Sequence, residues 1–135
     1  MDKSTQLGMY RDMLRIRLFE DKVNELVRAG ELFGFYHLYT GEEAVAVGVC
    51  TALHQDDYIT STHRGHGHVI AKGMRMDRMM AELMGKIEGY NKAKGGSMHL
   101  ASPEFGILGA NGIVGGGIPI ATGAALTAKL KNNGK

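Results

Sequence analysis

The local pattern of the sequence predicts a helix-rich fold with one short strand. Three observations carry that expectation. Apolar residues recur at helical spacing through the first 27 positions, and Thr40 and Glu43 stand three residues apart ahead of a smooth apolar run. Tyr58 to Ser61 is the one short segment that reads as a strand before a glycine-rich stretch with no sustained period.

The first helix rests on Leu7, Tyr10, Leu14 and Leu18, continued by Phe19, Val23, Leu26 and Val27. Ser4 or Thr5 is placed to cap its start, and Gly30 to sit just past its end. A loop over 33–41 carries His37 among aromatic residues. A second helix opens at Thr40, capped reciprocally by Thr40 and Glu43, and Ala44, Val45, Val47, Gly48 and Ala52 suit it to burial. After the strand at 58–61 comes a loop from Thr62 to Gly67. A third helix is expected over 69–72 and a fourth over 77–84, with Met79, Met80, Leu83 and Met84 as its apolar side. Residues 85–117 are expected to be loop. The last element, Ile118 to Lys131, is helical, with Gly117, Ala121 and Ala125 at four-residue steps where a neighbouring helix could pack closely.

Composition narrows the function classes. A formal net charge of +2 is too small to point to nucleic acid. The single cysteine, Cys50, excludes an internal disulfide and a four-cysteine zinc site. Met1 to Gln6 lack the apolar core of a signal peptide, and no run approaches the roughly 18 residues that span a bilayer, so a cytoplasmic location is expected. Glycine is the anomaly. Eleven of the 20 glycines lie between Gly85 and Gly123, so that half must turn unusually or approach something with bare backbone.

No G-x-G-x-x-G follows a strand and no G-x-x-x-x-G-K-[ST] occurs, which excludes the standard dinucleotide and P-loop signatures. His63, Arg64, His66 and His68 cluster after the strand. Arg64 would repel a cation, so anion binding is favoured there, ahead of a structural role and, last, a metal site. Taken alone, His37 reads more as a buried, hydrogen-bonded histidine than as a functional one, and Lys94 to His99 reads equally as a tight turn exposing backbone N–H groups or a plain surface loop. Gly109 to Gly117 holds five glycines within nine residues. One turn needs one or two, so a flat ligand or another backbone is expected to come close.

Four segments in order resemble a known family: Gly34 to Ala44, His63-Arg64-Gly65-His66-Gly67, Lys94 to His99, and Gly112-Ile113-Val114-Gly115. The chain is similar to the alpha subunit of thiamine-diphosphate-dependent 2-oxoacid dehydrogenases. His63-Arg64, where pyruvate enzymes commonly carry Tyr-Arg, and the run Leu108 to Pro119 look closer to the acetoin dehydrogenase branch.

The resemblance implies an α/β fold with a parallel sheet between helices, of which residues 1–135 would be the helix-rich amino-terminal part of one thiamine-diphosphate-binding domain. It implies that Arg64 contacts the cofactor diphosphate, with His63 in the place of the usual tyrosine. Backbone groups of Gly112 and Val114 would hold the aminopyrimidine, and His37 would face the substrate. The magnesium ligands would follow Lys135, and the activating glutamate would come from a beta subunit in an assembly of two alpha and two beta chains. The implied reaction cleaves acetoin and passes a two-carbon unit to a lipoyl group on an acyltransferase. Oxidative decarboxylation of pyruvate or a branched-chain 2-oxoacid is the alternative, and a truncated, non-catalytic interaction module the second. The chain alone is expected to be inactive.

Overall fold

The computed structural model describes residues 1–134. The metal motif expected after Lys135 lies outside the described residues. The first helix, α1, runs over Lys3–Arg28. Its cap is Asp2, not Ser4 or Thr5: the Asp2 carboxylate accepts from the Thr5 N–H at 3.0 Å and from the Thr5 hydroxyl at 2.6 Å. An aspartate also offers a full charge to the helix N-terminus, where a hydroxyl offers none. Gly30 closes the other end in a left-handed conformation (φ +73°). Its N–H reaches the Val27 carbonyl while Glu31 N–H reaches Leu26.

The apolar pattern of α1 separates into two stripes. Ile16, Phe19, Val23 and Leu26 are buried, each fully buried aliphatic side chain contributing about 1.5–3 kcal/mol. Leu7, Tyr10, Leu14 and Leu18 are exposed. Helix α2 spans Glu43–Ala52, three residues later than expected from Thr40. The reciprocal cap does not form. Glu43 is the first helical residue, and its carboxylate takes the Gly41 N–H at 3.0 Å and the Arg17 guanidinium at 2.6 Å. Ala46 and Val47 are buried, whereas Val45 and Val49 are exposed, so only one side of this apolar helix is covered.

Strand β1 is Ile59–Thr62, one residue from the expected position. Helix α3, His66–Ala71, begins earlier than expected and absorbs two of the clustered histidines. Helix α4 is Met76–Leu83, with Met79 and Leu83 buried. A 3-10 turn at Pro103–Phe105 then leads into a second strand, β2, Ile107–Asn111, inside the segment expected to be loop. The two strands pair in parallel, making an α/β architecture with a small parallel sheet and helices. The register shifts between Ile59 and Thr60, whose partners are Ile107 and Gly109, leaving Leu108 over. Gly109 takes φ +146° at that bulge, a conformation that a side chain would resist.

The last helix, α5, covers Gly117–Lys131 and rests on the strands. Gly117 faces β1 and not a neighbouring helix: a Cβ there would stand 3.1 Å from the Thr60 hydroxyl. Only Ala128 of α5 is buried, and Ile118, Ile120, Leu126 and Leu130 are exposed. Among the described residues no helix is long and apolar enough to cross a membrane.

Two buried charges hold the loops. Lys72 directs its ammonium at the carbonyls of His54, Gln55 and Asp57, at 3.3, 3.0 and 2.9 Å. Glu82 collects four backbone N–H groups, from Asn91, Ala93, Gly95 and Gly96, at 2.9–3.1 Å. Burial alone would raise its pKa, but the four donors outweigh it and hold the carboxyl below its usual range.

Candidate functional site

Thr62 and Asn111 are partners at the carboxyl ends of the two parallel strands. The segments that leave the sheet there begin with His63-Arg64 on one side and Gly112 on the other. In α/β proteins that edge is where loops gather around a ligand, because the helices that follow the strands leave a crevice above it. Residues predicted separately, 49 positions apart in sequence, therefore come to one edge.

His37 joins the first group. Its ring meets that of His63 edge to face, with centroids 4.8 Å apart and planes at 82°. The Nδ1 atoms of both are buried and lack a hydrogen-bond partner. Arg64 ties the same loop in place: its guanidinium donates through Nη1 to the Leu38 carbonyl, one residue beyond His37. Its Nε stands 4.0 Å from a Glu42 carboxylate oxygen, and the side chain keeps 38% of its surface exposed. The guanidinium thus has one arm committed and a face towards solvent, where an anion can compete with Glu42.

The other two clustered histidines spend both ring nitrogens on side chains of the fold. His66 is fully buried and spans between the Glu20 carboxylate at Nδ1 and the Ser97 hydroxyl at Nε2, both at 2.9 Å. His68 spans between the Ser61 hydroxyl at 2.7 Å and the Tyr39 hydroxyl at 3.0 Å. Burial pushes its pKa below the ordinary value, against a weaker opposing pull from Glu42. Burial, first among its causes, also drives the Tyr39 phenol up to about 12. Each imidazole therefore serves a different contact, and among the described residues no three His, Cys, Asp or Glu groups gather around a metal-sized position.

The second loop is built from backbone. The Asn111 side chain accepts the Ile113 N–H at 2.8 Å, and Gly116 N–H closes on the Ile113 carbonyl at 2.9 Å. Gly115 needs its glycine, with φ +81°. Val114 is 84% exposed, so neither its side chain nor its backbone is packed under other residues. Beneath this loop an open groove of about 500 Å³ runs between Thr60, Thr62, His68, Ile113, Gly117 and Ile118.

Lys94 to His99 does not expose its amides as one reading allowed. The N–H groups of Gly95 and Gly96 are spent on Glu82. The segment matters through Ser97 and His99 instead. Ser97 fastens it to His66 behind the His63-Arg64 loop. The His99 imidazole reaches the other loop, its Nε2 standing 3.4 Å from where a Cβ of Gly112 would be. The sequence alone assigns His99 no role, because nothing local tells an exposed histidine that abuts a glycine from one that does not.

The arrangement offers a guanidinium for an anion, a bare loop for a flat ring, and two imidazoles whose buried Nδ1 atoms lack a partner. A diphosphate linked to an aromatic ring fits that donor set. Comparison with known proteins identifies the family. The family described as dehydrogenase E1 component matches residues 11–135. The chain is similar to the alpha subunit of acetoin:2,6-dichlorophenolindophenol oxidoreductase from Bacillus subtilis (strain 168), with 66% identity over 125 residues, 93% of this chain and 38% of that protein. The subunit of the same name from Cupriavidus necator is 50% identical over 135 residues, covering 100% and 40%. A chloroplastic pyruvate dehydrogenase E1 component subunit alpha-3 from Oryza sativa subsp. japonica is 44% identical over 126 residues, covering 93% and 30%. The chain thus spans two fifths or less of the length of these relatives.

Proposed function

We infer that this chain, which belongs to the dehydrogenase E1 component family, works as part of the alpha subunit of a thiamine-diphosphate-dependent oxidoreductase that cleaves acetoin. The two-carbon unit would pass to a lipoyl group on a partner acyltransferase. The observation that carries the reading is the pairing of Thr62 with Asn111, which brings the His63-Arg64 loop and the Gly112 to Gly115 loop to one sheet edge. The higher identity to the two acetoin-named subunits, 66% and 50% against 44%, favours acetoin over pyruvate or a branched-chain 2-oxoacid.

In this reading Arg64 binds the cofactor diphosphate through the donors that Leu38 does not take, with His63 beside it. The backbone of Gly112 and Val114 holds the aminopyrimidine, whose approach a side chain at 112 would crowd against His99. Thiamine diphosphate, when bound, supplies the carbon nucleophile and the electron sink. His37 faces the substrate and holds its oxygen by a hydrogen bond that strengthens as negative charge develops there. The buried faces of α1 and α3 keep bulk water from the rear of the site. The metal is proposed to be magnesium held by residues outside 1–135, and a beta subunit is proposed to complete the site.

The test is reconstitution of the alpha subunit that contains these residues with its beta partner, thiamine diphosphate and magnesium. Acetaldehyde release from acetoin is the expected result. A folded complex that turns over neither acetoin nor a 2-oxoacid would leave the chain as an interaction module.

A further inference from the structure

We propose that the outward stripe of α1 is the contact through which two copies of this chain pair, helix against antiparallel helix. The proposal needs no cofactor and stands or falls apart from the functional reading above.

Helix α1 carries two apolar faces. Ile16, Phe19, Val23 and Leu26 enter the core. Leu14 and Val23 lie about two and a half turns apart, so Leu14 points the opposite way. With it run Leu7, Tyr10 and Leu18, and these four side chains are 43–62% exposed. A surface helix ordinarily turns charged and polar residues to that side. Here the four large apolar residues follow one another over roughly 17 Å of helix. They form a ridge between two grooves, one towards α2 at Met13, Gly41 and Ala44, the other towards α4 at Met76 and Met80. A ridge flanked by grooves is the shape on which a second helix seats.

The order of residues along the ridge identifies the occupant. The ridge continues to Lys3 at one end and Asp21 at the other, both exposed. Among the described residues neither makes an ion pair. The series Lys3, Leu7, Tyr10, Leu14, Leu18, Asp21 complements its own reverse. An antiparallel copy sets Lys3 against Asp21, Leu7 against Leu18 and Tyr10 against Leu14, all within one residue of a single register. A different partner requires no such symmetry, whereas a two-fold contact does, because each pairing occurs twice. The neighbouring cations leave the contact open. Arg17 is held by Glu43 at 2.6 Å and Arg15 by Asp12 at 3.1 Å. Arg11, close to the two-fold axis, approaches its own copy, and its long stem lets the charge swing out to water.

The experiment uses the full-length protein that contains these residues, in its native assembly, and reads no catalysis. Chains bearing Leu7→Cys and chains bearing Leu18→Cys are co-expressed and oxidised. A disulfide between two copies is expected in the mixture and in neither variant alone. In the proposed register, position 7 of one copy lies about 16 Å along the axis from position 7 of the other, and a disulfide needs Cα atoms within roughly 7 Å. The unsubstituted chain, with Cys50, sets the background. Charge reversal checks the register by sedimentation. Lys3→Glu should raise the dissociation constant between copies by ~3–10-fold, and adding Asp21→Lys should restore it to within about threefold. Leu14→Glu should raise it by ~10²-fold or more with an unchanged circular dichroism spectrum. No cross-link in the mixture, or one equally strong in Leu7→Cys alone, overturns the pairing. So does cross-linking of Leu7→Cys to a different subunit, or a loss in Lys3→Glu that Asp21→Lys leaves uncorrected.

Discussion

The Glu20 carboxylate and the His66 imidazole meet at 2.9 Å across 46 residues of sequence, and neither side chain reaches solvent. Glu20 comes from α1 and His66 opens α3, so the contact fixes the first helix against the loop that leaves β1. Removing one partner of such a buried pair leaves the other stranded. Glu20→Ala and His66→Ala should each cost about 3–5 kcal/mol, read by chemical denaturation of the assembled protein. A loss under ~1 kcal/mol would show that the pair carries little of the fold's stability.

Acid should act on His68 in a defined window. Its folded-state pKa lies below the ordinary 6.5, chiefly through burial. Between the folded and unfolded values the unfolded chain binds more protons, so stability rises with pH and is lost as pH falls from about 6.5 towards the folded value. His68→Gln should flatten that part of the profile. Denaturation midpoints at pH 7.5 and 5.5 check it, and equal pH dependence in variant and parent would contradict it.

Arg64→Ala should weaken thiamine diphosphate binding by about 1.5–3 kcal/mol, the range for a hydrogen bond to a charged group. Arg64→Lys should recover only part, since an ammonium keeps the charge and loses the fork that reaches Leu38 and an anion together. Calorimetry of the assembled enzyme measures both. An unchanged affinity in Arg64→Ala would remove Arg64 from the cofactor.

Two glycines of the second loop should fail differently. Gly112→Ala meets only His99, at 3.4 Å, so the fold should tolerate it within about 1 kcal/mol while cofactor affinity drops. Gly115→Ala has open space but φ +81°, so it should cost about 1–2 kcal/mol of stability from backbone strain. Melting curves beside binding isotherms separate the two effects.

The sequence carried the helices well, and the reason is local. The α1 period, Gly30 after it and the strand near 58–61 are each set by neighbours a few residues away. What stayed hidden depends on distant partners. Strand β2, Ile-Leu-Gly-Ala-Asn, has too few β-branched residues and too much glycine to announce itself; it becomes a strand because β1 lies alongside. Leu7, Tyr10, Leu14 and Leu18 looked like the core face because their spacing is good, but the buried stripe is the one that contains Glu20, where a charge masks the period. Glu43 fits a capping box by spacing, and Arg17, 26 residues away, claims its carboxylate instead. The histidine cluster read as one feature is three, since only packing decides which imidazole faces where.

The Glu82 carboxylate gathers amides from Asn91, Ala93, Gly95 and Gly96. That makes it a gauge of chain length between α4 and Ser97. An inserted or deleted residue within 91–96 would strand an amide or pull the segment off its anchor. The exposed side chains of this stretch can therefore drift freely among variants of the protein, whereas its residue count cannot.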